Sequence, residues 1–513
     1  MSDFFVTTAI PYVNGRPHIG HALELVQTDV LARYRRQMGD AVRFQTGTDD
    51  NALKNVHSAM QAGMPTREYV GQVAERFASL REPLELSFDD FIKTSSDPRH
   101  RPGVERLWRA CAATGDLYER EYEGLYCVGC EQFYTEAELE GGACPEHGAS
   151  IELVRERNWF FHLRRYQDRL AEVIRSGELR IEPEHRRNEV LGFIEGGLED
   201  FSISRSLERA HGWGIPVPGD SGQVIYVWWD ALANYITTLD YGGDGCAYRR
   251  WWCDSAARVH VIGKGILRFH AVYWPAMLLS AGEPLPTNIH VHEYLTAGSF
   301  KIGKSAGNTT DPNELVVRYG KDPLRWWFLR EVGRIGDTDF TIDRLVQRAN
   351  EDLANNIGNL VNRTVSMIHR YLDGTVPCGT GDDPRARALI EARVAAEPDI
   401  RAAIDRFDFR TAVAAILRIA DEGNRYIMAT RPWELARAVD RGEQRQDLLE
   451  SVLGELLTTC RAIGTHLRPF LPSAAERISV QCGEGLDRLP EPAPVFPKVD
   501  AGDGGRVTVS RSR

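Results

Sequence analysis

The first fifty residues switch between two hydrophobic periods. FFVTTAI, residues 4–10, is a short apolar run typical of a buried strand, and HALELVQTDVLARYRRQMG, residues 21–39, repeats apolar positions at helical spacing. AVRFQTGTDD, residues 41–50, predicts a second strand that ends in a polar turn. Strand, helix and strand in this order predict a parallel sheet with crossover helices, in which ligands bind at the carboxyl ends of the strands.

This strand–helix pattern extends over residues 1–115 and is then interrupted. Residues 116–220 contain short strand-like pieces, several glycines and a group of cysteines, which indicates an inserted domain. Residues 221–290 return to the first pattern with GQVIYVWWDALANYI and ARVHVIGKGILRFHAVYWPAML. The sheet domain is therefore predicted to be built from two separate stretches of the chain.

The remaining third of the chain has a different character. Residues 291–343 hold a strand that enters a basic, glycine-punctuated loop, and residues 344–490 read as amphipathic helices. The Pro-, Gly- and Asp-rich tail, residues 491–513, is expected to be disordered. The predicted fold class is α/β, a Rossmann-like parallel-sheet domain with an insertion, followed by an α-helical bundle.

Composition excludes several classes of protein. The 513 residues carry a formal net charge of −11, which argues against indiscriminate nucleic-acid binding but not against a local basic face. No apolar run is long enough to span a bilayer, and the N-terminus lacks the basic start of a signal peptide, so we expect a cytoplasmic protein. Nine cysteines in a chain of this length do not indicate a disulfide scaffold.

Two pairs of basic residues are candidates for binding nucleotide phosphates. His18 and His21 lie where the first strand gives way to the first helix, and a helix N-terminus with imidazole donors suits phosphate. Lys301 and Lys304, in FKIGKSAGN, would supply cations from a second loop. Either motif alone is more often incidental, and only their order and context together make them specific.

Four further residues have the spacing of metal ligands. CVGC and CPEH, separated by thirteen residues, place Cys127, Cys130, Cys144 and His147 in two pairs. Paired ligands two residues apart can meet one Zn²⁺ tetrahedrally, and four protein ligands make a closed, structural site. The sequence therefore predicts one structural zinc, which organises a small inserted domain.

The motifs resemble those of one family. PHIGH and KIGKS are similar to the HIGH and KMSKS signatures of class I aminoacyl-tRNA synthetases. TTAIPYVNGRPHIGHA, YEGLYCVGCEQFYTEAEL, RNEVLGFIEGGLEDFSISR, YVWWDALANY and DPLRWWFLRE resemble methionyl-tRNA synthetases in particular, from about residue 3 to at least residue 440. The likeness is closest to the bacterial type with one zinc site.

The resemblance gives each predicted segment a role. It implies a catalytic domain in two halves, 1–115 and 221–290, joined by a connective insertion with the zinc knuckle at 116–220. It implies a stem-contact region with the KMSKS-like loop at 291–343 and an anticodon-binding helical domain at 344–490. The implied ligands are ATP with Mg²⁺, L-methionine and tRNA-Met. No membrane contact is expected, and since no further C-terminal domain is evident, we expect a monomer.

The resemblance also implies site residues. The catalytic and ATP-binding residues would be His18, Gly20, His21, Lys301, Lys304 and Ser305, with Arg205 shaping the site. The methionine-binding residues would be Ala9, Ile10, Tyr12, Asp49, Trp228, Ala231, Leu232, Tyr235, Phe269, His270 and Trp274. The implied readers of the CAU anticodon are Asn359, Arg363 and Trp433, an amide, a guanidinium and an indole suited to unstacked bases.

Several positions depart from the family pattern. Asn51 and Ala52 replace the usual His-Gly, Gly265 replaces a carboxylate, and Ile302 and Gly303 replace Met and Ser. The leading hypothesis is a methionine–tRNA ligase. Two alternatives remain at this point: a divergent paralogue that makes an aminoacyl-adenylate for another acceptor or from an altered amino acid, and a catalytically inactive RNA-binding or regulatory protein.

Overall fold

The computed structural model describes residues 2–127, 132–134, 136, 139, 141–145, 151–298, 300–301, 310–377, 383–442 and 446–500. The first stretch contains β1 (Asp3–Thr8), α1 (Ile19–Gln37), β2 (Ala41–Thr48), α2 (Leu53–Gln61), α3 (Thr66–Ala78), a 3₁₀ turn (Ser79–Arg81), β3 (Asp90–Lys93) and α4 (His100–Ala113). The next contains β4 (Leu117–Cys127), β5 (Gln132–Tyr134), β6 (Glu152–Phe161), a 3₁₀ turn (Leu163–Tyr166), α5 (Gln167–Ser176), β7 (Arg180–Glu182), α6 (Glu184–Glu195), β8 (Phe201–Ser202), β9 (Ser204–Ser206) and β10 (Pro216–Val217).

The chain then returns to longer elements. These are β11 (Asp220–Ile225), α7 (Val227–Thr237), a 3₁₀ turn (Tyr241–Gly243), α8 (Cys246–Tyr248), a π-helical turn (Arg249–Cys253), β12 (Ala257–Gly263), a 3₁₀ turn (Lys264–Ile266), a π-helical turn (Phe269–Tyr273), α9 (Trp274–Ala281), β13 (Asn288–His292), β14 (Leu295–Ala297) and β15 (Phe300–Lys301). The last part contains α10 (Pro312–Tyr319), α11 (Lys321–Arg330), β16 (Thr338–Asp339), α12 (Ile342–Arg348), a π-helical segment (Ala349–Gly358), α13 (Asn359–Leu372), a 3₁₀ turn (Pro384–Ala386), α14 (Arg387–Ile404), α15 (Phe409–Thr430), α16 (Pro432–Asp440), α17 (Gln446–Leu467) and α18 (Pro472–Gln481).

A six-stranded parallel sheet forms the centre, in the order β3-β2-β1-β12-β13-β7. On β1, Phe5 packs into one hydrophobic core and Phe4 and Val6 pack into another, because successive side chains of a strand point to opposite faces. The central strand is therefore buried on both sides, as in other parallel sheets covered by helices. The predicted α/β class with a Rossmann-like sheet is confirmed.

Two strands differ from the sequence pattern. β7, inside the stretch predicted as an insertion, pairs with β13 and closes one edge of the main sheet. Three residues are too few to show alternation, so no sequence signal marked it. β11, which looked like a return to the main sheet, pairs instead with β9 in a separate antiparallel sheet. Strand pairing is a long-range choice that the local pattern does not specify.

Arg325 on α11 ties the sheet side to the C-terminal helices. Its wholly buried guanidinium donates to Asp29 Oδ2 on α1 at 2.8 Å and to the carbonyl oxygen of Phe470 at 2.9 Å. It also donates to the carbonyl oxygen of Leu84 at 2.7 Å. The first helix and the turn between α17 and α18 are therefore held by one side chain.

The predicted disordered tail needs a correction in its first ten residues. Val495 and Phe496 are buried against the helical core, and Asn350 exchanges two hydrogen bonds with the backbone of Val499, at 2.8 and 2.9 Å. The Pro-rich composition of this segment gave no indication that Val495 and Phe496 would pack against the helical core. Residues 501–513 lie outside the described part of the chain. None of the helices in the described ranges is long and apolar enough to cross a bilayer.

Candidate active site

A cavity of about 1090 Å³ opens at the carboxyl ends of β1, β2, β12 and β13. The chain segments that follow these strands line it, together with the first turn of α1. Parallel strands bring their carboxyl ends to one edge of the sheet, so residues distant in sequence converge there. The lining residues include Ala9, Ile10, Tyr12, His18, Gly20, His21, Glu24, Asp49, Lys54, Ser202, Arg205, Tyr226, Trp228, Lys264, Gly265, Phe269, His292, Glu293, Tyr294 and Leu295.

The two histidines cap the helix that they precede. His18 is the extended N-cap residue of α1, and its Nδ1 accepts from the backbone N–H of Gly20 at 3.1 Å. His21 Nδ1 accepts in return from the backbone N–H of His18 at 3.1 Å, and the two rings stack with centroids 3.7 Å apart. Because both Nδ1 atoms accept, each neutral ring carries its proton on Nε2. A side chain at Gly20 would begin 2.9 Å from the His18 ring, so this arrangement requires glycine there.

Asp49 and an aromatic wall line the same cavity. Asp49 is 1% exposed and is held by a bridge to Tyr12, in which its N–H donates to the Pro11 carbonyl oxygen at 2.9 Å. Trp228 and Phe269 stack face to face, with centroids 3.7 Å apart. Lysine, aromatic and carboxylate groups thus meet at one end of the cavity, where Lys54 Nζ lies 3.7 Å from the centre of the Tyr12 ring.

The remaining predicted methionine residues form the layer behind this wall. They are Ala231, Leu232, Tyr235, His270 and Trp274, all of them buried. His270 Nδ1 donates to the Ile266 carbonyl oxygen at 2.9 Å, so its Nε2 accepts the Tyr235 hydroxyl proton at 2.7 Å. Burial lowers the pKa of His270 to about 4 and raises the pKa of Tyr235 well above its usual value. Both groups are therefore neutral and locked in one orientation.

Arg205, on β9, lines the cavity from the side of the insertion. It is 7% exposed, and its Nη1 donates to Ser202 Oγ at 2.9 Å and to the Ser204 carbonyl oxygen at 2.7 Å. Its guanidinium also lies 4.3 Å from the ring centre of Tyr226. The structure thus places Arg205 on the cavity wall in a fixed orientation.

The predicted anticodon residues lie on neighbouring helices, far along the chain from the cavity residues. Asn359 is exposed at the start of α13, and Arg363 is half-buried one turn later. Trp433 follows Pro432 at the start of α16, which packs against α13, and its indole is partly buried against the helical core. The two helices that carry these residues therefore pack against each other in the helical domain.

Comparison with known proteins decides the family. The model of the family "tRNA synthetases class I (M)" matches residues 4–152 and 147–365. The methionine–tRNA ligase of Brucella suis biovar 1 is 40% identical over 515 residues, covering 96% of this chain and 98% of that protein. The chain belongs to the methionyl-tRNA synthetase family. The resemblance read from the motifs is confirmed, and with it the class of enzyme, a methionine–tRNA ligase.

Solved structures of the family agree with the architecture. A Mycobacterium tuberculosis methionyl-tRNA synthetase in complex with methionyl-adenylate has a TM-score of 0.90, with 36% identity, over 97% of this chain and 100% of that one. The apo form of the same organism's enzyme has a TM-score of 0.84, with 34% identity, over 98% of this chain and 99% of that one. The likeness thus extends through the sheet domain, the insertion and the helical region.

Two departures from the methionyl-tRNA synthetase pattern have visible consequences. Asn51 Nδ2 donates to Asp230 Oδ2 at 2.7 Å, on the same carboxylate that bonds His100. At Gly265 a Cβ atom would lie 1.9 Å from the Tyr294 hydroxyl oxygen. The Tyr294 hydroxyl therefore occupies the space that a side chain at position 265 would enter.

Sequence reasoning missed several residues of the cavity wall. They are Glu24, Lys54, Lys264, Glu293 and Tyr294. The strand-end rule could have found most of them, because Lys264 directly follows β12, and Glu293 and Tyr294 directly follow β13.

Part of the predicted site lies outside the described residues. Lys304 and Ser305 fall there, as do Ile302 and Gly303, and only the backbone of Lys301 is described. That backbone belongs to β15 and pairs with Thr296 on β14. Since Leu295, the first residue of β14, lines the cavity, the lysine-bearing loop begins at the cavity edge.

The predicted zinc ligands are half described. Cys127 and Cys144 are buried together in one small cluster with Tyr134, and Cys144 Sγ donates to the Tyr134 hydroxyl at 3.6 Å. Cys130 and His147 lie outside the described residues. Within the described ranges no three His, Cys, Asp or Glu side chains form a group that could hold a metal. Two buried thiols in one cluster, from the end of β4 and from the segment after β5, fit the donor set of a zinc knuckle.

Proposed function

We propose that this methionine–tRNA ligase carries out both steps of its reaction in the cavity at the carboxyl edge of the sheet. In the first step, a methionine carboxylate oxygen attacks the α-phosphorus of ATP, and pyrophosphate leaves. In the second, the 2′-hydroxyl of the terminal adenosine of tRNA-Met attacks the carbonyl carbon of the adenylate, and AMP leaves. One observation supports this most strongly: the helix-capping histidine pair and the buried Asp49 line the same cavity.

The aromatic end of the cavity suits methionine. The Asp49 carboxylate accepts hydrogen bonds from the α-ammonium group, and the stacked Trp228 and Phe269 rings face the thioether. Tyr235 and His270 hold their protons in a closed chain that ends on the Ile266 carbonyl oxygen. The back of the pocket therefore presents a fixed polar surface rather than a second charge. An amino acid with a charged side chain is therefore excluded, because the described residues at the back of the pocket offer that charge no partner of opposite sign.

The histidine end suits the phosphates. The Nε2 protons of His18 and His21 donate to phosphate oxygens at the N-terminus of α1, where the helix dipole also favours negative charge. Lys301, whose backbone pairs with Thr296 on β14, and Lys304 would neutralise charge on the leaving pyrophosphate. ATP enters as its Mg²⁺ complex. Catalysis is positioning and charge stabilisation, without a covalent enzyme intermediate.

The tRNA contacts are distributed over the rest of the chain. Asn359 and Arg363 hydrogen-bond base edges of the CAU anticodon, and Trp433 stacks on one base. Cys127, Cys130, Cys144 and His147 would hold one zinc ion, which would stabilise the knuckle of the insertion that meets the acceptor end. One equivalent of zinc by elemental analysis is expected, and its absence from purified, folded protein would remove this part of the proposal.

The test is methionine-dependent ATP–pyrophosphate exchange, followed by charging of tRNA-Met. Wild type is expected to show both activities. Asp49→Asn is expected to lose methionine-dependent exchange because it binds methionine weakly, since its neutral amide no longer pairs with the ammonium group. Asp90→Asn, a carboxylate of β3 that pairs with Arg43 and Arg99 away from the cavity lining, serves as the matched control. Exchange without charging would point to the paralogue with another acceptor.

The assembly state is a separate part of the proposal. The protein is expected to act as a monomer, because the histidine pair, Asp49 and the aromatic wall already line one cavity within a single chain. Sedimentation equilibrium at micromolar concentration should return the mass of one chain, 57.7 kDa. Twice that mass would contradict the monomer.

A further inference from the structure

The carboxyl end of β13 carries a buried acid that faces the cavity. Glu293 is 1% exposed and follows His292, the last residue of the strand. The register pairs His292 with Gly263 at the end of β12, so the next residues, Glu293 and Lys264, lie side by side at the same edge. Both residues line the cavity. A carboxylate and an ammonium group therefore share one wall of the site.

Nitrogen atoms of three side chains surround the Glu293 carboxylate. Arg186 Nη2 donates to both carboxylate oxygens at 2.7 Å, and Lys264 Nζ lies 3.3 Å from Oε2. His185 Nε2 lies 3.3 Å from Oε1. Burial opposes the charge, but the Arg186 and Lys264 cations outweigh it and hold the pKa of Glu293 below its usual value. A carboxylate with this many nitrogen contacts holds its neighbours in place and has no lone pair left for a substrate.

Lys264 is the neighbour that Glu293 orients toward the cavity. Its ammonium group is fixed between Glu293 and Asp337, whose Oδ1 lies 2.6 Å away, and it lies 4.9 Å from the ring centre of Tyr294. Asp337 Oδ1 also accepts from the backbone N–H of Tyr294 at 2.9 Å. The lysine is thus constrained on three sides while its residue remains part of the cavity wall.

The same strand end is tied to the histidine-bearing helix. His292 Nε2 donates to Glu24 Oε2 at 2.9 Å, and Glu24 lies one turn along α1 from His21. Burial disfavours the charge on His292, yet the hydrogen bond to Glu24 raises its pKa above the usual value. One short segment therefore sets the position of Lys264 relative to the two histidines.

We propose that Glu293 is a positioning residue for adenylate formation, which holds the Lys264 ammonium group where it meets the anionic part of ATP. The inference rests on the proposed function and adds a residue that the sequence motifs did not mark. The acid of this edge comes from the end of β13, and the Tyr294 hydroxyl occupies the space beside Gly265.

The test compares Glu293→Gln, Lys264→Met and the double variant by steady-state pyrophosphate exchange. Lys264→Met is expected to lower kcat/KM for ATP about ten- to hundredfold, the effect of losing one charge-assisted hydrogen bond. Glu293→Gln is expected to lower it about tenfold, as displaced catalytic groups do. KM for methionine should stay within about twofold in both. The double variant should be no worse than Lys264→Met, because Glu293 acts through that lysine.

Glu331→Gln is the matched control. Glu331 is also a nearly buried carboxylate between two cations, with Arg348 Nε at 2.5 Å and Arg344 Nη2 at 2.9 Å, and it does not line the cavity. It should lose thermal stability comparably to Glu293→Gln but keep the ATP kinetics of wild type. Exchange kinetics of Glu293→Gln equal to those of this control would overturn the proposal, as would unchanged ATP kinetics in Lys264→Met.

A binding measurement separates this proposal from the proposed function. Isothermal titration of Mg·ATP alone into wild type, Lys264→Met and Glu293→Gln should show weaker nucleotide binding in both variants. If wild type binds ATP but supports no methionine-dependent exchange, the proposed function fails, and the binding data still decide the role of Glu293. Equal ATP affinity in all three proteins would refute the positioning role directly.

Discussion

Replacing Gly265 by alanine places a methyl group where the Tyr294 hydroxyl lies. The ideal Cβ position is 1.9 Å from that oxygen, and an ordinary contact begins near 3.4 Å, so the phenol tip must retreat by about 1.5 Å. Retreat is resisted on two sides. The Tyr294 N–H is bonded to Asp337, and the ring lies beside the Lys264 ammonium group. Moving the tyrosine therefore disturbs the lysine that lines the cavity.

The expected cost follows from these contacts. Overpacking a rigid site costs about 1–3 kcal/mol, whereas alanine in a helical turn gains about 0.5–1 kcal/mol over glycine. Gly265 lies within the 3₁₀ turn Lys264–Ile266, so both effects apply, and the steric one wins. We expect Gly265→Ala to lose about 1 kcal/mol of stability and, through Lys264, about tenfold in kcat/KM for ATP.

The assay is differential scanning calorimetry together with pyrophosphate exchange at varied ATP. Removing the obstructing oxygen provides the matched rescue, because in Gly265→Ala/Tyr294→Phe the nearest ring atom lies 3.2 Å from the new methyl group. The double variant should recover most of the ATP kinetics. Wild-type behaviour of Gly265→Ala, or a double variant no better than the single one, would refute the steric argument.

Three further outcomes are expected. Arg325→Met should cost about 3–5 kcal/mol of unfolding free energy, since it strips a buried partner from Asp29. Folded His270, with its pKa lowered from 6.5 to about 4, binds fewer protons than the unfolded chain, so its contribution is present above pH 6.5 and is lost as pH falls toward 4. Between pH 7 and pH 5, the free energy of unfolding of wild type should therefore fall by about 2 kcal/mol more than that of His270→Gln. Arg363→Ala and Trp433→Ala should each lower charging of tRNA-Met about tenfold or more, with exchange unchanged, because base stacking and edge contacts contribute about 1–3 kcal/mol each.

Each of these outcomes has a control. Arg401→Met removes an exposed arginine paired with Glu397 and should change unfolding by less than about 1 kcal/mol, so an equal loss in Arg325→Met would contradict the buried-pair argument. An imidazole signal of His270 that titrates near pH 6.5 in NMR spectra would contradict its lowered pKa. A parallel fall of exchange and charging in the helical-domain variants would show damage to folding instead of lost anticodon contacts.

Local pattern was sufficient to locate the histidine pair. An apolar strand, a turn and an amphipathic helix follow one another within forty residues, and the capping position that His18 occupies is defined by its immediate neighbours. The same holds for the helical C-terminal region, because a 3.6-residue period over long stretches depends on nothing distant. The sequence pattern did not predict β7 or the buried Val495 and Phe496. Each of these segments is short and is ordered by partners elsewhere in the chain.

The chain's residue order by itself determined the α/β class, the place of the histidine-bearing turn and the spacing of the candidate zinc ligands, because these depend on neighbours within a few positions. Only the tertiary structure decided that Gly265 faces the Tyr294 hydroxyl and that Glu293 holds Lys264 at the cavity wall. These contacts arise where the ends of β12 and β13 meet, and strand register is set by packing of the whole sheet. A long-range pairing of this kind leaves no periodic pattern in the sequence, so the contacts in this wall of the cavity could not be predicted from the sequence alone.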